Sequence, residues 1–386
     1  MKYSEIRGRI RWFVIFLVVL LPTLIFNFST LRVTGLKSGA LFGDLQLVLK
    51  WADCHQESGE LLYKAFDPNY PCSGYIYGQP LIFALNALGI HVSMTKVIGY
   101  IFYTVIAFVL AYSVNWNRTS KLTLVLVVLS PPFALLLDRA NFDTLIAFLV
   151  LLSAIAFSKK RELTAIGCLV VATLFKFYTL PILFIALALC KSVPKKTLIA
   201  VTTLLTGFYV ALNIQKIQSP FPTGFYAKFG FSIWGSYAEK YSSHWSSTGL
   251  QLLLNLFVWA LLAIFFFKVR KYIQVSTWNL ELNSQNQLVA IWFLAAHLSC
   301  FVAGLSYDYR LIFIAISTLA YLSDSKIQTN EHERILLSSL LLISLWFTFL
   351  VPEVAPIGDV ALGVLTGWML IQASSSIFRN SRKIIV

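Results

Sequence analysis

Charge is what this chain has least of. Asp, Glu, Lys and Arg make up 12% of its 386 residues, where a soluble globular domain carries about 25%. That scarcity excludes an ordinary water-soluble fold. Cysteine is also sparse, with five in all, too few for a disulfide scaffold. Cys168, Cys190 and Cys300 lie in or beside apolar runs and read as packing residues. Cys54 and Cys72 share one polar interval and are candidates for a disulfide if that interval faces an oxidising compartment. No Cys, His or carboxylate pattern has metal-ligand spacing, so no metal site is expected. Low-complexity tracts, a soluble domain and an evident internal repeat are absent as well.

Apolar sequence is present in quantity. Hydrophobic residues make up 58% of the chain. Apolar runs fall at about 12–31, 93–114, 121–137, 142–158, 163–176, 179–191, 197–214, 248–268, 287–305, 309–323, 335–351 and 357–377. Runs near ~18 residues read as membrane-spanning helices. The expectation is an all-α polytopic membrane protein with about twelve spans. Several runs are short and are expected to be tilted or broken. The first follows Lys2, Arg7, Arg9 and Arg11 but is followed by no small-residue cleavage site, so it reads as a retained helix.

The formal net charge of +14 does not indicate nucleic acid. The basic residues sit in short clusters between apolar runs, as orientation signals do. Basic connections (the N-terminus, 118–121, 159–161, 191–196, 268–271 and 379–383) alternate with a second set at 32–92, 138–141, 176–178, 215–247, 306–308 and 352–356. The first set is expected in the cytoplasm, with both termini, and the second on the outer side. The outer set contains two long intervals, 32–92 and 215–247. The later one is aromatic and too polar to span.

Ionic groups collect on that outer side. Gly43–Tyr77 holds Asp44, Asp53, Glu57, Glu60 and Asp67, five of the chain's seventeen carboxylates. Asp44 reads either as a general base or as the N-cap of a helix over Leu45–Trp51. In DRANFD (138–143), Asp138 and Arg139 form a local ion pair with Asn141 capping the next helix, or Arg139 meets phosphate oxygens through its planar fork. Asp143 closes that cluster. In LFKFYTLP (174–181), Lys176 either snorkels or neutralises a phosphate, with Tyr178 beside it. Asp308 and Arg310 in SYDYR interrupt a late apolar region, and His244 is a lone histidine in SSHWSS. Ionisable groups gathered at one mouth of a helical bundle mark a functional site.

The run from DRANFD through KFYTLP resembles the "ERGN-D, apolar helix, basic turn, helix, K-Y-P" segment of the GT-C polytopic glycosyltransferases of family 87. The Gly43-Asp44 segment, with Gly59, Tyr63, Cys72, Tyr75 and Tyr77, and the later SYDYRLIF are similar to the same family. Ala140 stands where the family usually has Gly, and Thr179 lies between Tyr178 and Pro181.

The resemblance implies one membrane glycosyltransferase domain over residues 1–386, with a GT-C-like bundle and the two outer intervals above. It implies a polyprenyl-phosphate-linked sugar donor, often mannose, and a glycolipid or glycan acceptor at the outer face of a bacterial inner membrane. Asp44 would be the base of a single inverting displacement. Arg139, Asn141, Asp143, Lys176, Tyr178, His244, Asp308 and Arg310 would bind substrate. Metal and other cofactors are not required by a donor that carries its own phosphate leaving group. A transporter or flippase of lipid-linked sugars, binding without chemistry, is the competing class. An O-antigen-ligase-like enzyme would need arginines in the long outer interval, and 215–247 has none.

Overall fold

The computed structural model describes residues 8, 10–17, 41–59, 77–115, 121–190, 192–217, 228–229, 233–234, 248–270, 280–302, 306–325, 327, 329–350 and 354–385. The architecture is all-helical, apart from an antiparallel pairing of two residues, β1 (Lys228–Phe229) with β2 (Ser306–Tyr307). Among the described residues, four helices are long and apolar enough to cross a membrane by length and composition: Val92–Ser113, Val193–Asn213, Gln285–Val302 and Ala355–Ile377. A bent pair, Lys121–Val128 and Pro131–Arg139, makes a fifth if it counts as one span. Five further apolar helices are shorter, among them Asp143–Ser158 and Glu162–Phe175.

The chain divides into two compact units that interleave along the sequence. The unit with the ionic cluster contains residues 1–30, 37–112 and 135–223. Its helices are α1 (10–17), α2 (Gly43–Ser58), α3 (Gln79–Ala87), most of α4 (Thr95–Ser113), the end of α6 (Pro131–Arg139), α7 (Asp143–Ser158), α8 (Glu162–Phe175), α9 (Leu180–Leu189) and α10 (Val193–Ile217). The intervening α5 (Lys121–Val128) belongs to the other unit.

The polar interval in which the sequence offers a helix only over Leu45–Trp51 holds a sixteen-residue helix, α2. Its buried residues Leu45, Val48, Leu49 and Ala52 recur at the spacing of a helical face, with Trp51 beside them. The apolar stripe organises this segment; Asp53 and Glu57 lie off it, whereas Asp44, four residues before Val48, lies on the stripe's side of the helix. The run 121–137 is likewise not one straight helix. Pro131 and Pro132 remove two backbone donors, and α5 and α6 meet at a 44° bend.

Three contacts fix the start of α2. Phe42 adopts a left-handed backbone, φ 66°, and its N–H donates to the Asp138 carbonyl at 2.6 Å. Its ring is fully buried against Tyr100 of α4, with ring centres 5.6 Å apart. Gly99 lets α4 pass that close, because a Cβ there would stand 2.4 Å from the Phe42 ring. The first turn of α2 is thereby pinned to the last turn of α6.

The other unit contains α11 (Thr248–Arg270), α12 (Gln285–Val302), α13 (Ile312–Ser323), α14 (Glu331–Leu350) and α15 (Ala355–Ile385). All twelve residues of α13 are buried, as expected of a helix at the centre of its unit. Ser317 Oγ donates to the Ala290 carbonyl of α12 at 2.7 Å. Buried Glu333 of α14 accepts from Tyr321 Oη and Trp368 Nε1 at 3.1 and 3.2 Å.

Candidate functional site

Asp44 lies in the first turn of α2 and does not cap it, because the N-cap position is Phe42 and no side chain bonds there. Its carboxylate points instead at the α6–α7 connection. Arg139 Nη1 donates to Asp44 Oδ1 at 3.0 Å. Asn141 Nδ2 donates to Asp44 Oδ2 at 2.7 Å. The ion pair thus joins Arg139 to a partner ninety-five residues earlier. The Asp44 side chain is 20% exposed and Arg139 32%, so both border the outside of the unit.

Asn141 is the hub. Its Oδ1 accepts the Asp143 backbone N–H at 2.9 Å and the Lys176 ammonium at 2.8 Å. Two donors on Oδ1 dictate the orientation of the amide, which leaves its NH2 facing Asp44. The N-cap position of α7 is Phe142, so Asn141 does not occupy the cap that DRANFD suggests, but from one residue earlier its Oδ1 still satisfies a free donor at the helix start, the Asp143 N–H. Ala140 makes the tight turn possible with φ 44°, a left-handed backbone that glycine adopts more easily.

Lys176 follows α8 and turns inward. Its Nζ also lies 2.7 Å from Asp143 Oδ1, with the Lys side chain 5% and the Asp side chain 0% exposed. Tyr178 Oη donates to the same Asp143 oxygen. The Tyr77 ring completes the ammonium's surroundings, with Nζ 4.6 Å from its centre, a cation–π distance. The sequence has Lys176 either snorkelling or neutralising a phosphate; the structure places its ammonium inside, on Asn141, Asp143 and Tyr77.

Gly78 is a neighbour of the site that the sequence reading does not single out, and Tyr77 enters that reading only through the family resemblance, with no role given to it. Gly78 precedes α3, and its N–H donates to the Phe175 carbonyl at 3.1 Å. A Cβ on Gly78 would fall 1.8 Å from the Leu174 carbonyl oxygen. Only glycine fits so close to the end of α8, and this approach delivers the Tyr77 ring over Lys176. Tyr77 also packs on Trp51 and Phe142, with ring centres 6.1 and 6.2 Å away. A glycine followed by Gln-Pro at a helix start is the one local signal that could have marked it.

Six of the nine sequence-chosen site residues therefore form one connected network: Asp44, Arg139, Asn141, Asp143, Lys176 and Tyr178. Asp308 and Arg310 belong to the other unit, in the 3-10 turn Asp308–Leu311. His244 lies outside the described residues. Cys54, on α2, is disulfide-bonded, and its sequence-chosen partner Cys72 also lies outside the described residues. Cys168, Cys190 and Cys300 are not disulfide-bonded.

Among the described residues, no three His, Cys, Asp or Glu side chains converge as metal ligands would. The network itself offers a partly exposed carboxylate beside a partly exposed guanidinium, both held by a buried polar frame. Such a pair can take a proton at one oxygen and bind an anion at the neighbouring fork. No family model matches the chain, and neither a curated protein nor a solved structure does.

Proposed function

We propose that the protein is a membrane glycosyltransferase that moves a single hexose, such as mannose, from a polyprenyl-phosphate donor to a glycolipid or glycan acceptor. The observation that carries this reading is the Arg139–Asp44 pair at 3.0 Å, partly exposed and backed by Asn141. It rests further on the resemblance of DRANFD, KFYTLP and SYDYRLIF to the family 87 enzymes. The proposal includes a bundle of about twelve spans in a bacterial inner membrane, both termini cytoplasmic, with the Asp44 network at the outer surface.

In this mechanism Arg139 takes the donor phosphate. The phosphate competes with Asp44 for the guanidinium fork and frees one carboxylate oxygen. That oxygen accepts the proton of the acceptor hydroxyl as the hydroxyl oxygen attacks the anomeric carbon. The bond from that carbon to the phosphate oxygen breaks, and its electron pair leaves with the lipid phosphate. The configuration inverts, and charge on the departing phosphate is met by a preorganised cation. Asn141 holds Asp44 in place, and Lys176, Asp143 and Tyr178 hold Asn141 and the turn around it.

The test is transfer of labelled mannose from polyprenyl-phosphate-mannose by the purified full chain in detergent. Transfer by the unmodified protein, and none by a folded Asp44→Asn variant, is expected. Undiminished transfer by that variant would remove the base. Movement of a lipid-linked sugar across vesicles with no product formed would support the transporter class instead.

A further inference from the structure

The α7–α8 hairpin carries the Asp44 network at one end and a different feature at the other. Residues Lys159, Lys160 and Arg161 join the two helices and are all exposed. Lys195 and Lys196, at the start of α10, belong to the same patch, because Lys195 Nζ lies 2.7 Å from Glu162 Oε2 at the start of α8. The 159–161 turn and the start of α10 thus bring together five cations, of which Lys195 bonds the Glu162 carboxylate. Lys159 follows Asp143 by sixteen positions along α7, roughly 24 Å at 1.5 Å per residue.

The backbone of the turn is rigid. The Arg161 N–H donates to the Ala156 carbonyl and the Lys160 N–H to the Phe157 carbonyl, both at 2.9 Å. These two bonds define a Schellman ending for α7. Its left-handed position, normally a glycine, is Lys160 with φ 60°. A basic side chain stands where the backbone favours none, between two other basic side chains. Beside the cations, Leu163, Val193 and Leu198 are 53%, 74% and 51% exposed. A cationic rim next to bare aliphatic side chains matches an anionic headgroup joined to acyl chains.

We propose that this patch binds one anionic phospholipid, its phosphate held by the 159–161 turn and the start of α10, with acyl chains along Leu163, Val193 and Leu198. The site is separate from the Asp44 network and does not depend on the glycosyltransferase reading. It fastens the far end of the hairpin to one leaflet, and so fixes the depth of the helices that carry Asp143 and Lys176.

Native mass spectrometry of the full chain in detergent, titrated with phosphatidylglycerol or phosphatidylcholine, tests this. One phosphatidylglycerol should be retained at least about tenfold more tightly than phosphatidylcholine. The double variant Lys159→Gln/Lys160→Gly should lose about thirtyfold in that affinity. Lys50→Gln/Lys96→Gln removes two exposed cations elsewhere and should leave it unchanged. Lys160→Gly alone should lose about fivefold while its Tm stays equal or rises, because glycine suits the left-handed backbone. That last variant separates lost binding from lost folding. Equal retention of both lipids, equal losses in the two double variants, or displacement of the lipid by millimolar inorganic phosphate would each overturn the proposal.

Discussion

Lys176 places its ammonium 2.7 Å from the Asp143 carboxylate, and both side chains are closed off from the outside. The pair ties the end of α8 to the start of α7 and is the rigid floor under Asn141. Buried ion pairs contribute little over an apolar substitute, but removing one partner strands the other charge. Lys176→Met should therefore destabilise the fold by roughly 3–5 kcal/mol. Asp143→Leu should do the same, and the double variant should recover much of the loss. Thermal unfolding of the four proteins in one detergent gives the cycle; additive losses would show that the two groups do not support each other.

Gly78 offers a purely steric prediction. Its φ of −66° suits any residue, so backbone strain is not involved. The obstacle is the Leu174 carbonyl oxygen, 1.8 Å from where a Cβ would sit. Gly78→Ala should push α3 off α8 and cost at least the roughly 1–3 kcal/mol of an overpacked site. The Tyr77 ring would move off Lys176 with it. A drop in Tm is the measurement, and an unchanged Tm would mean that the two helices are not in this close contact.

These supports show what the sequence conceals. Asp44, Arg139, Asn141, Asp143, Lys176 and Tyr178 were legible because polar groups in so apolar a chain need partners. Their partners were not, because the Arg139–Asp44 contact spans ninety-five residues and depends on where helices cross. Lys176 reads as a snorkelling or phosphate-binding cation until the ring of Tyr77 and the carboxylate of Asp143 are seen around it. Of the helix Gly43–Ser58 the sequence offers only Leu45–Trp51, because the carboxylates beyond it read as solvated loop, although Leu45, Val48, Leu49 and Ala52 mark the buried stripe. The break between α5 and α6 had a visible cause in Pro131 and Pro132, yet the apolar run through them reads as continuous.

Ala140 supplies the prediction in which stability should rise. Its left-handed φ of 44° costs a residue with a Cβ on the order of 1–2 kcal/mol. Glycine removes that cost but adds about 0.5–1 kcal/mol of freedom to the unfolded chain. Ala140→Gly should therefore gain roughly 0.5–1 kcal/mol. Unfolding by heat or denaturant measures it, and a clear loss would show that this turn prefers a side chain.

The last prediction separates the chemistry of Asp44 from its structural bond. Asp44 and Arg139 are both partly exposed, and such pairs contribute only about 0–1 kcal/mol. Asp44→Asn keeps the shape of the side chain, so Tm should move little. If Asp44 takes the proton, sugar transfer should fall by about 10²- to 10⁴-fold. Asn141→Asp acts through a different route. It replaces the amide donor to Asp44 with a like charge, while Lys176 and the Asp143 N–H still find an acceptor oxygen. Asp44 is then repelled from its place and drawn only by Arg139, and transfer should fall although Asp44 itself is intact. Combining the two substitutions discriminates the roles. If Asn141 works by holding Asp44, the double variant should be no slower than Asp44→Asn alone. Full multiplication of the two losses would mean that Asn141 contacts substrate in its own right.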